Sequence, residues 1–504
     1  MLPVTELYGL CKTSLEENMR HFFAAISVLL FSAVTTTPQS APPKPDVGAT
    51  AEEDIARIMG YSLARGGASN FLETLTDTIG GRITGGSESR ATAELILKTL
   101  KEAGYHNAHF EEYELGSVWQ HGTAKGEVIS PVRRALYIGS YGWVPGTAGP
   151  MEVPLADFGA PSENHVPTPE QVRGAAVIVD LLSNGVSSAY AGSRVMIARQ
   201  LAQAGAAAMF IVSDKPNRMV YTSAFGFYPR APLPILSIAA EDAALLRRLL
   251  AKGPVKLRLD VQNSFAPGPG RERNVVADLE GSDANEMVLL TAHFDSWDPA
   301  QGANDNGAGV ATVLEAARIL KMLRIRPKHT IRFVFFSGEE QLANGSRAYV
   351  EQHHAELDKI RAVINTDSGA QAVLGLQLNG RQDLAAATKK LLKPLAPLGA
   401  DGVYMDADFD SDHESFMVAG VPAYALRVER GDYDVRHHTI VDTFEKIDPS
   451  LLGIHTAVMA VLGCQFANAS ERPGRRLSPV EVVGLLKKTG LEPLYRLEYP
   501  DAKP

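Results

Sequence analysis

The chain has 504 residues, 45% of them hydrophobic and 21% charged, with a formal net charge of −9. This composition excludes a disordered or fibrous chain. The acidic balance, without long Lys or Arg runs, excludes the clustered basic footprint that nucleic acid or an anionic membrane surface requires. The length exceeds one ordinary hydrophobic core and implies two to four folding units, with small molecules or peptides as the partners.

In chain order, Met19, Arg20 and His21 precede an apolar stretch from Phe22 to Val34 and then a polar, proline-rich run over 35–43. This layout predicts a signal segment within 1–41 and a secreted, periplasmic or extracellular protein. The apolar run is shorter than the ~20 residues a spanning helix needs, so no stable membrane insertion is expected. Glu6, Glu16 and Glu17 do not suit a basic leader start, which makes Met19 an alternative first residue. Cys11 and Cys464 are the two cysteines. Cys11 lies in the leader, so no internal disulfide is expected, and Cys464, in the apolar run 457–464, reads as a buried thiol.

Apolar residues recur at helical spacing over Glu52–Ala64 and Ala91–Ala103. Between them, Asp77-Thr78-Ile79-Gly80-Gly81-Arg82-Ile83-Thr84-Gly85-Gly86 is glycine-rich but lacks a following Lys-Ser or Lys-Thr and any dinucleotide-binding spacing, so it reads as turn geometry. From Thr123 to Phe265 the texture becomes short β-like runs such as 175–179, with one helix at 191–204 leading into a strand at 205–212 and a Pro-rich entry to another strand at 231–237. The segment 267–273, rich in Pro, Gly and Arg, reads as a linker. Beyond it, strand-like runs at 287–292, 330–336, 362–366 and 423–428 alternate with helical stretches at 310–322 and 345–353, which predicts an α/β sheet flanked by helices. In such sheets the reacting groups gather at the carboxyl ends of the strands.

The chemistry-bearing residues stand where those runs end. They are His293 and Asp295; Asp305 within Asn304-Asp305-Asn306-Gly307; the pair Glu339-Glu340; Asp367; and His437-His438-Thr439 with Asp442. Singly, each is ordinary for a strand end. Together, two histidines and three carboxylates form an N/O ligand set suited to a hydrolytic metal pair, with a further carboxylate left for proton transfer. Two zinc ions ~3.5 to 4 Å apart can share one water and bring its pKa toward ~7. Of the adjacent Glu339 and Glu340, one can bind metal while the other takes the water's proton. Asp295 and Asp442 are suited to accept from the far imidazole nitrogens of His293 and His438.

The ordered elements H-x-D, A-N-D-N-G-x-G, G-E-E, a strand-ending D and H-H-T-x-x-D-T resemble the M28 family of zinc aminopeptidases and carboxypeptidases, over nearly the whole chain. The resemblance implies a three-layer α/β/α zinc exopeptidase domain with a mixed sheet, in segments 48–122 and 271–470, with a β-rich protease-associated insertion at 123–265 and a tail at 471–504. It implies two zinc ions per chain: His293 and Asp367 on one, Glu340 and His438 on the other, Asp305 bridging, and Glu339 as general base. His437 competes with His438, which is preferred because it directly precedes Thr439. The stretch Ser411-Asp412-His413-Glu414-Ser415-Phe416 resembles a family loop beside the cleft, and Tyr433 and Arg436 are candidates for a substrate terminus. Trp297 and the Gln301-Gly302 turn, lying between ligands, suit either substrate contact or packing. The implied substrates are short peptides or dipeptides, cleaved from either terminus, and the resemblance also implies a homodimer. A receptor-like binder on the same fold would have no reason to keep all five ligands and Glu339 together. An acyl-transferring relative would carry one zinc and no insertion.

Overall fold

The computed structural model describes residues 51–160, 166–181, 188–224 and 230–499. The expected leader and Cys11 lie outside them. Three helices, α1 (Ala51–Arg65), α2 (Ala68–Thr78) and α3 (Ser87–Glu102), lead into strand β1 (His109–Leu115). The chain then leaves the main sheet and builds a second one.

That second sheet runs through β2 (Trp119–Gln120), β3 (Ala124–Ser130), β4 (Arg134–Leu136), β5 (Ile138–Ser140), β6 (Met151–Gly159), β7 (Ala176–Val179), α4 (Ser188–Gln203), β8 (Ala208–Val212), β9 (Ile235–Ile238), α5 (Ala240–Leu250), β10 (Lys256–Val261) and β11 (Ser264–Phe265). Eight of these strands form one sheet in the order β4-β3-β10-β6-β7-β8-β9-β5, while β2 and β11 pair separately where the chain leaves and rejoins the main domain. Alternate side chains of the central strands go to opposite faces, as the two-residue period demands. Val177, Val179, Met209 and Ile211 join one cluster with Ile197 and Leu201 of α4. Ala176, Ile178, Ala208 and Phe210 join another with Ala243 and Leu246 of α5. The insertion therefore has a helix on each face of its sheet, more α/β in character than its short β-like runs suggest.

The chain returns through β12 (Gly270–Leu279), β13 (Asp283–His293), α6 (Ala308–Met322), β14 (His329–Phe336), α7 (Asn344–Gln352), β15 (Ile360–Asn365), β16 (Val373–Gln377), α8 (Ala385–Leu392), β17 (Gly402–Tyr404), α9 (His413–Val418), β18 (Ala423–Val428), α10 (Pro449–Asn468), α11 (Pro479–Thr489) and α12 (Glu492–Glu498). The main sheet is mixed, in the order β1-β12-β14-β13-β15-β18-β16-β17. Its four central strands β14, β13, β15 and β18 are parallel, so their carboxyl ends share one edge. Buried on both faces, they read as nearly unbroken apolar runs. Val288, Leu290 and Ala292 of β13 pack with α6 and α10, and Leu289 packs on the other side with Phe416, Leu486 and Leu494. This completes the three layers.

Helix α10 is long and apolar enough to cross a membrane, yet it is mostly buried within the fold; a helix apolar all round belongs in a core. Cys464 sits inside it, its thiol pushed up to about 12 by burial. The tail folds back: α11 begins with a capping box between Ser478 and Glu481, and α12 docks through Arg347, which pairs with Glu498 and Glu414, both at 2.7 Å.

One ion pair links α7 to edge strand β1. His353 Nε2 lies 3.0 Å from Glu111 Oε2, and the ring stacks on Tyr349. The hydrogen bond to Glu111 raises His353 above 6.5, and against burial His353 holds Glu111 below 4.5. The imidazole's contribution is complete below pH 6.5 and is lost as pH rises through its raised pKa; the carboxylate's is complete above 4.5 and is lost as pH falls through its lowered one. Glu111→Gln is therefore expected to cost roughly 1 kcal/mol in urea unfolding near pH 6 and markedly less at pH 9. Equal losses at the two pH values would remove the pair as the cause.

Candidate metal centre

The shared carboxyl edge delivers the predicted residues to one place. His293 ends β13, the Glu339-Glu340 pair follows β14, and Asp367 follows β15. Asp305 lies in the irregular turn Ala303–Gly307 just before α6, and His438 comes ten residues beyond β18. Asp305 sits between the two histidines, its Oδ1 3.4 Å from His293 Nε2 and its Oδ2 3.1 Å from His438 Nε2. His293 Nε2 is 3.2 Å from Asp367 Oδ1, and His438 Nε2 is 3.1 Å from Glu340 Oε2. Glu339 stands slightly apart, its Oε2 3.8 Å from His293 Nε2. His437 also reaches Asp305, at 3.4 Å, but it is the more exposed of the two histidines. Its ring is sandwiched between Tyr433 and His438.

One supporting role differs from that expected and another is wider. His293 Nδ1 lies 3.1 Å from the Asp295 backbone carbonyl oxygen and 3.5 Å from its carboxylate Oδ1. The Asp295 carboxylate also accepts from Thr84 Oγ1 at 2.6 Å and from the backbone N–H groups of Glu339 and Glu340, both at 3.2 Å. It thereby fixes the turn that presents both glutamates. Asp442, by contrast, does not hold His438, whose Nδ1 makes no hydrogen bond. Asp442 accepts from the backbone N–H groups of Asn304 and Asp305, at 2.6 and 3.1 Å, so it holds the loop of the shared carboxylate. The reason is chain geometry: Asp442 follows its histidine so closely that backbone direction, which spacing alone does not specify, decides what its oxygens meet.

The glycine-rich turn does more than shape the chain. Arg82, fully buried, donates to the carbonyls of Phe294 at 2.6 Å, Gln301 at 2.7 Å, and Gly302 and Gly80 at 2.8 Å. It ties the segment after His293 to the segment before Asp305. Burial lowers its guanidinium to about 10, which still leaves it charged at neutral pH. Gly302, at φ 59°, adopts a conformation that suits glycine, and a Cβ there would lie 2.9 Å from the Arg82 guanidinium.

The insertion also reaches the centre. The Thr222 N–H donates to the His438 carbonyl at 3.1 Å, and Tyr221 stacks on the His438 ring. His438 itself has φ 59°, sparsely populated for a side-chain-bearing residue, and these insertion contacts help hold it there. Trp297 packs with Trp119 and Trp143, and a Cβ on Gly142 of the insertion would strike its ring at 2.1 Å. Trp297 is therefore a packing residue at this junction.

The electrostatics call for cations. Despite burial, Asp367 and Glu339 hold His293 well above the usual imidazole range, and His438 is raised in the same way beside Glu340. Burial pushes Glu340 up to about 7 against the pull of His438. Four buried atoms of the cluster, His293 Nε2, Glu340 Oε1, Asp367 Oδ1 and His438 Nδ1, make no hydrogen bond. Leaving such groups unpaired costs on the order of 1–3 kcal/mol each. The donor set, imidazole nitrogen and carboxylate oxygen within ligand spacing of one another, fits divalent metal ions such as zinc.

The centre opens into a cavity of about 610 Å³, a size that suits a small ligand. Glu339, Asp305 and Asp367 line its base, Lys215 and Tyr221 come from the insertion, and Leu494 and Glu498 from α12. Tyr433 lines it as well, whereas Arg436 is occupied by Asp432 and by the Lys446 carbonyl. The insertion and tail residues carry no local signal that tells them from ordinary surface positions.

Residues 274–463 match Peptidase family M28. The chain is 28% identical over 433 residues to carboxypeptidase Q of Mus musculus, which spans 83% of this chain and 90% of that protein. A peptidase M28 precursor from Shewanella amazonensis SB2B has a similar structure, with a TM-score of 0.74 at 26% identity over 85% of this chain and 99% of the other. A zinc aminopeptidase from Bacillus subtilis shares the fold, with a TM-score of 0.61 at 21% identity over 78% of this chain and 93% of its own. The matched region runs from β12 to α10 and contains every candidate ligand; the chain carries a peptidase family M28 domain and is a metallo-exopeptidase similar to carboxypeptidase Q.

Proposed function

We propose that the protein removes terminal residues from short peptides, dipeptides among them, with Glu339 as general base beside two zinc ions. His293 and Asp367 would hold one ion, His438 and Glu340 the other, and Asp305 both. The observation that carries this reading is the placement of Asp305, each oxygen of which faces a different histidine. Bound there, the ion pair supplies Lewis-acid polarisation of the scissile carbonyl and makes water at the site more acidic.

The protein's own groups do the rest. Glu339 lines the cavity and stands farther from His293 than Asp305 and Asp367 do, so its carboxylate is placed to take the proton of the attacking water and return it to the leaving amine nitrogen. Asp295 holds the Glu339 backbone, which keeps that carboxylate in register with the ligands. Lys215, whose ammonium donates to the Asp434 carbonyl, presents a cation inside the cavity, and this favours recognition of a substrate carboxylate.

The test is hydrolysis of dipeptides that are free, amine-blocked or carboxyl-blocked by zinc-replete protein. Cleavage of the amine-blocked but not the carboxyl-blocked substrates is expected. The reverse pattern would make the enzyme an aminopeptidase, and no cleavage of any dipeptide by protein holding two zinc ions would overturn the substrate class.

A further inference from the structure

We infer that Asp408, Asp410 and His413 form a further divalent-cation site, separate from the centre built around Asp305. The three side chains come from one short run, Asp408-Phe409-Asp410-Ser411-Asp412-His413, and each offers a ligand atom within 4.8 Å of the others. Donors on one small cation at ~2.0–2.4 Å must lie within such a span.

The independent observation is His413. Its side chain is fully buried, and neither ring nitrogen makes a hydrogen bond. Nε2 lies 3.1 Å from Asp408 Oδ1, itself buried and without a hydrogen-bond partner. The two atoms face each other closely but without hydrogen-bond geometry. His293 Nε2 and Asp367 Oδ1 do the same at 3.2 Å in the main centre. The arrangement that marks the ligands there thus recurs here.

The surroundings orient the set. Gln377 Nε2 donates to Asp408 Oδ2 at 2.6 Å and to Asn379 Oδ1 at 3.1 Å, while Gln377 Oε1 accepts from Arg427 at 3.3 Å. With Oδ2 held, Asp408 presents Oδ1 to the imidazole. Second-layer contacts of this kind fix ligand carboxylates in metal sites. Two cations line the same small cavity, Arg427 and Arg430. Arg427 is paired with Asp406 at 3.4 Å, and Arg430 is paired with Asp434, so part of their charge is already answered. Asp410 is exposed and lines both this cavity and the main one, which gives an ion a way in.

One imidazole nitrogen with two carboxylate oxygens suits zinc or another divalent transition ion better than calcium, which prefers an all-oxygen shell. Three protein ligands leave the remaining positions to water.

The test is equilibrium dialysis of the full chain against graded free Zn2+, followed by elemental analysis of bound zinc per chain. Wild type is compared with Asp410→Asn, an exposed position whose replacement should leave the fold intact, and with His413→Gln. Each variant is expected to saturate with one zinc fewer than wild type. The same loss of one is expected when Asp410→Asn is placed in an Asp305→Ala background, because the two sites share no ligand. Equal saturation of wild type and Asp410→Asn would overturn the inference and leave Asp408 and His413 as a buried ion pair. Disappearance of the difference in the Asp305→Ala background would overturn it too, by assigning the ion to the main centre.

Discussion

Glu339→Gln is expected to lower kcat about 10²–10⁴-fold while zinc content stays at the wild-type value. The amide is nearly isosteric with the carboxylate, and the backbone N–H of residue 339 still donates to Asp295, so the turn that carries Glu340 should keep its shape. What disappears is the proton acceptor that faces the cavity. KM should move far less than kcat, because proton transfer is needed in the transition state more than for binding. Paired kinetics and elemental analysis of one preparation check this. A variant that lost one zinc would make Glu339 a ligand, a role its spacing to His293 and Asp367 also allows. A variant that kept more than about a tenth of the activity would end the general-base role.

Arg82→Met is expected to destabilise the protein by roughly 3–5 kcal/mol and to weaken zinc binding about 10–100-fold. Methionine can fill the buried volume but donates nothing, so the carbonyls of Phe294, Gln301 and Gly302 lose a charged donor in a place water does not reach. The first of these follows His293 directly and the last precedes the Asp305 turn, so the loss falls on the spacing between two ligands. Urea unfolding of metal-free protein reads the stability, and competition with a chelator reads the affinity. A loss below about 1 kcal/mol with unchanged affinity would reduce Arg82 to a replaceable packing residue.

Thr84, two residues on, belongs to the same device through its bond to Asp295. Together they explain why a turn more than 200 residues before the first histidine governs the centre. Its glycines suggest chain reversal, and no feature of the run itself points toward zinc.

The sequence by itself determined a good deal. Apolar runs at 287–292, 330–336, 362–366 and 423–428 correspond to β13, β14, β15 and β18 within a few residues, because a strand covered on both faces must be apolar along its length. The helices over 52–64 and 310–322 were legible for the matching reason, a recurring apolar stripe. Since the reacting groups of a parallel sheet collect at its carboxyl edge, the strand-ending motifs nominate His293, Asp305, Glu339, Glu340, Asp367 and the pair His437-His438, the M28 resemblance prefers His438, and the structure brings these residues together. Less regular elements were not legible. Strand β17 is three residues long, and α2 has no counterpart among the elements predicted from the sequence, where only its last two residues fall in the glycine-rich run 77–86. Helix α10 appeared only as an apolar run around Cys464, since a helix buried all round has no polar face to reveal its period.

Only the tertiary structure decided the contacts between distant parts of the chain. These include Arg82 bridging two ligand loops, Tyr221 and Thr222 of the insertion against His438, α12 lining the cavity, Asp295 holding backbone amides as well as facing His293, and Asp442 holding backbone amides in place of an imidazole. Periodicity and motif spacing record how a segment meets a sheet or a helix face a few residues away. Which far-off carbonyl a buried guanidinium finds, or which ring settles on a histidine, depends on how two sheets and a tail pack together, and no local pattern carries that information.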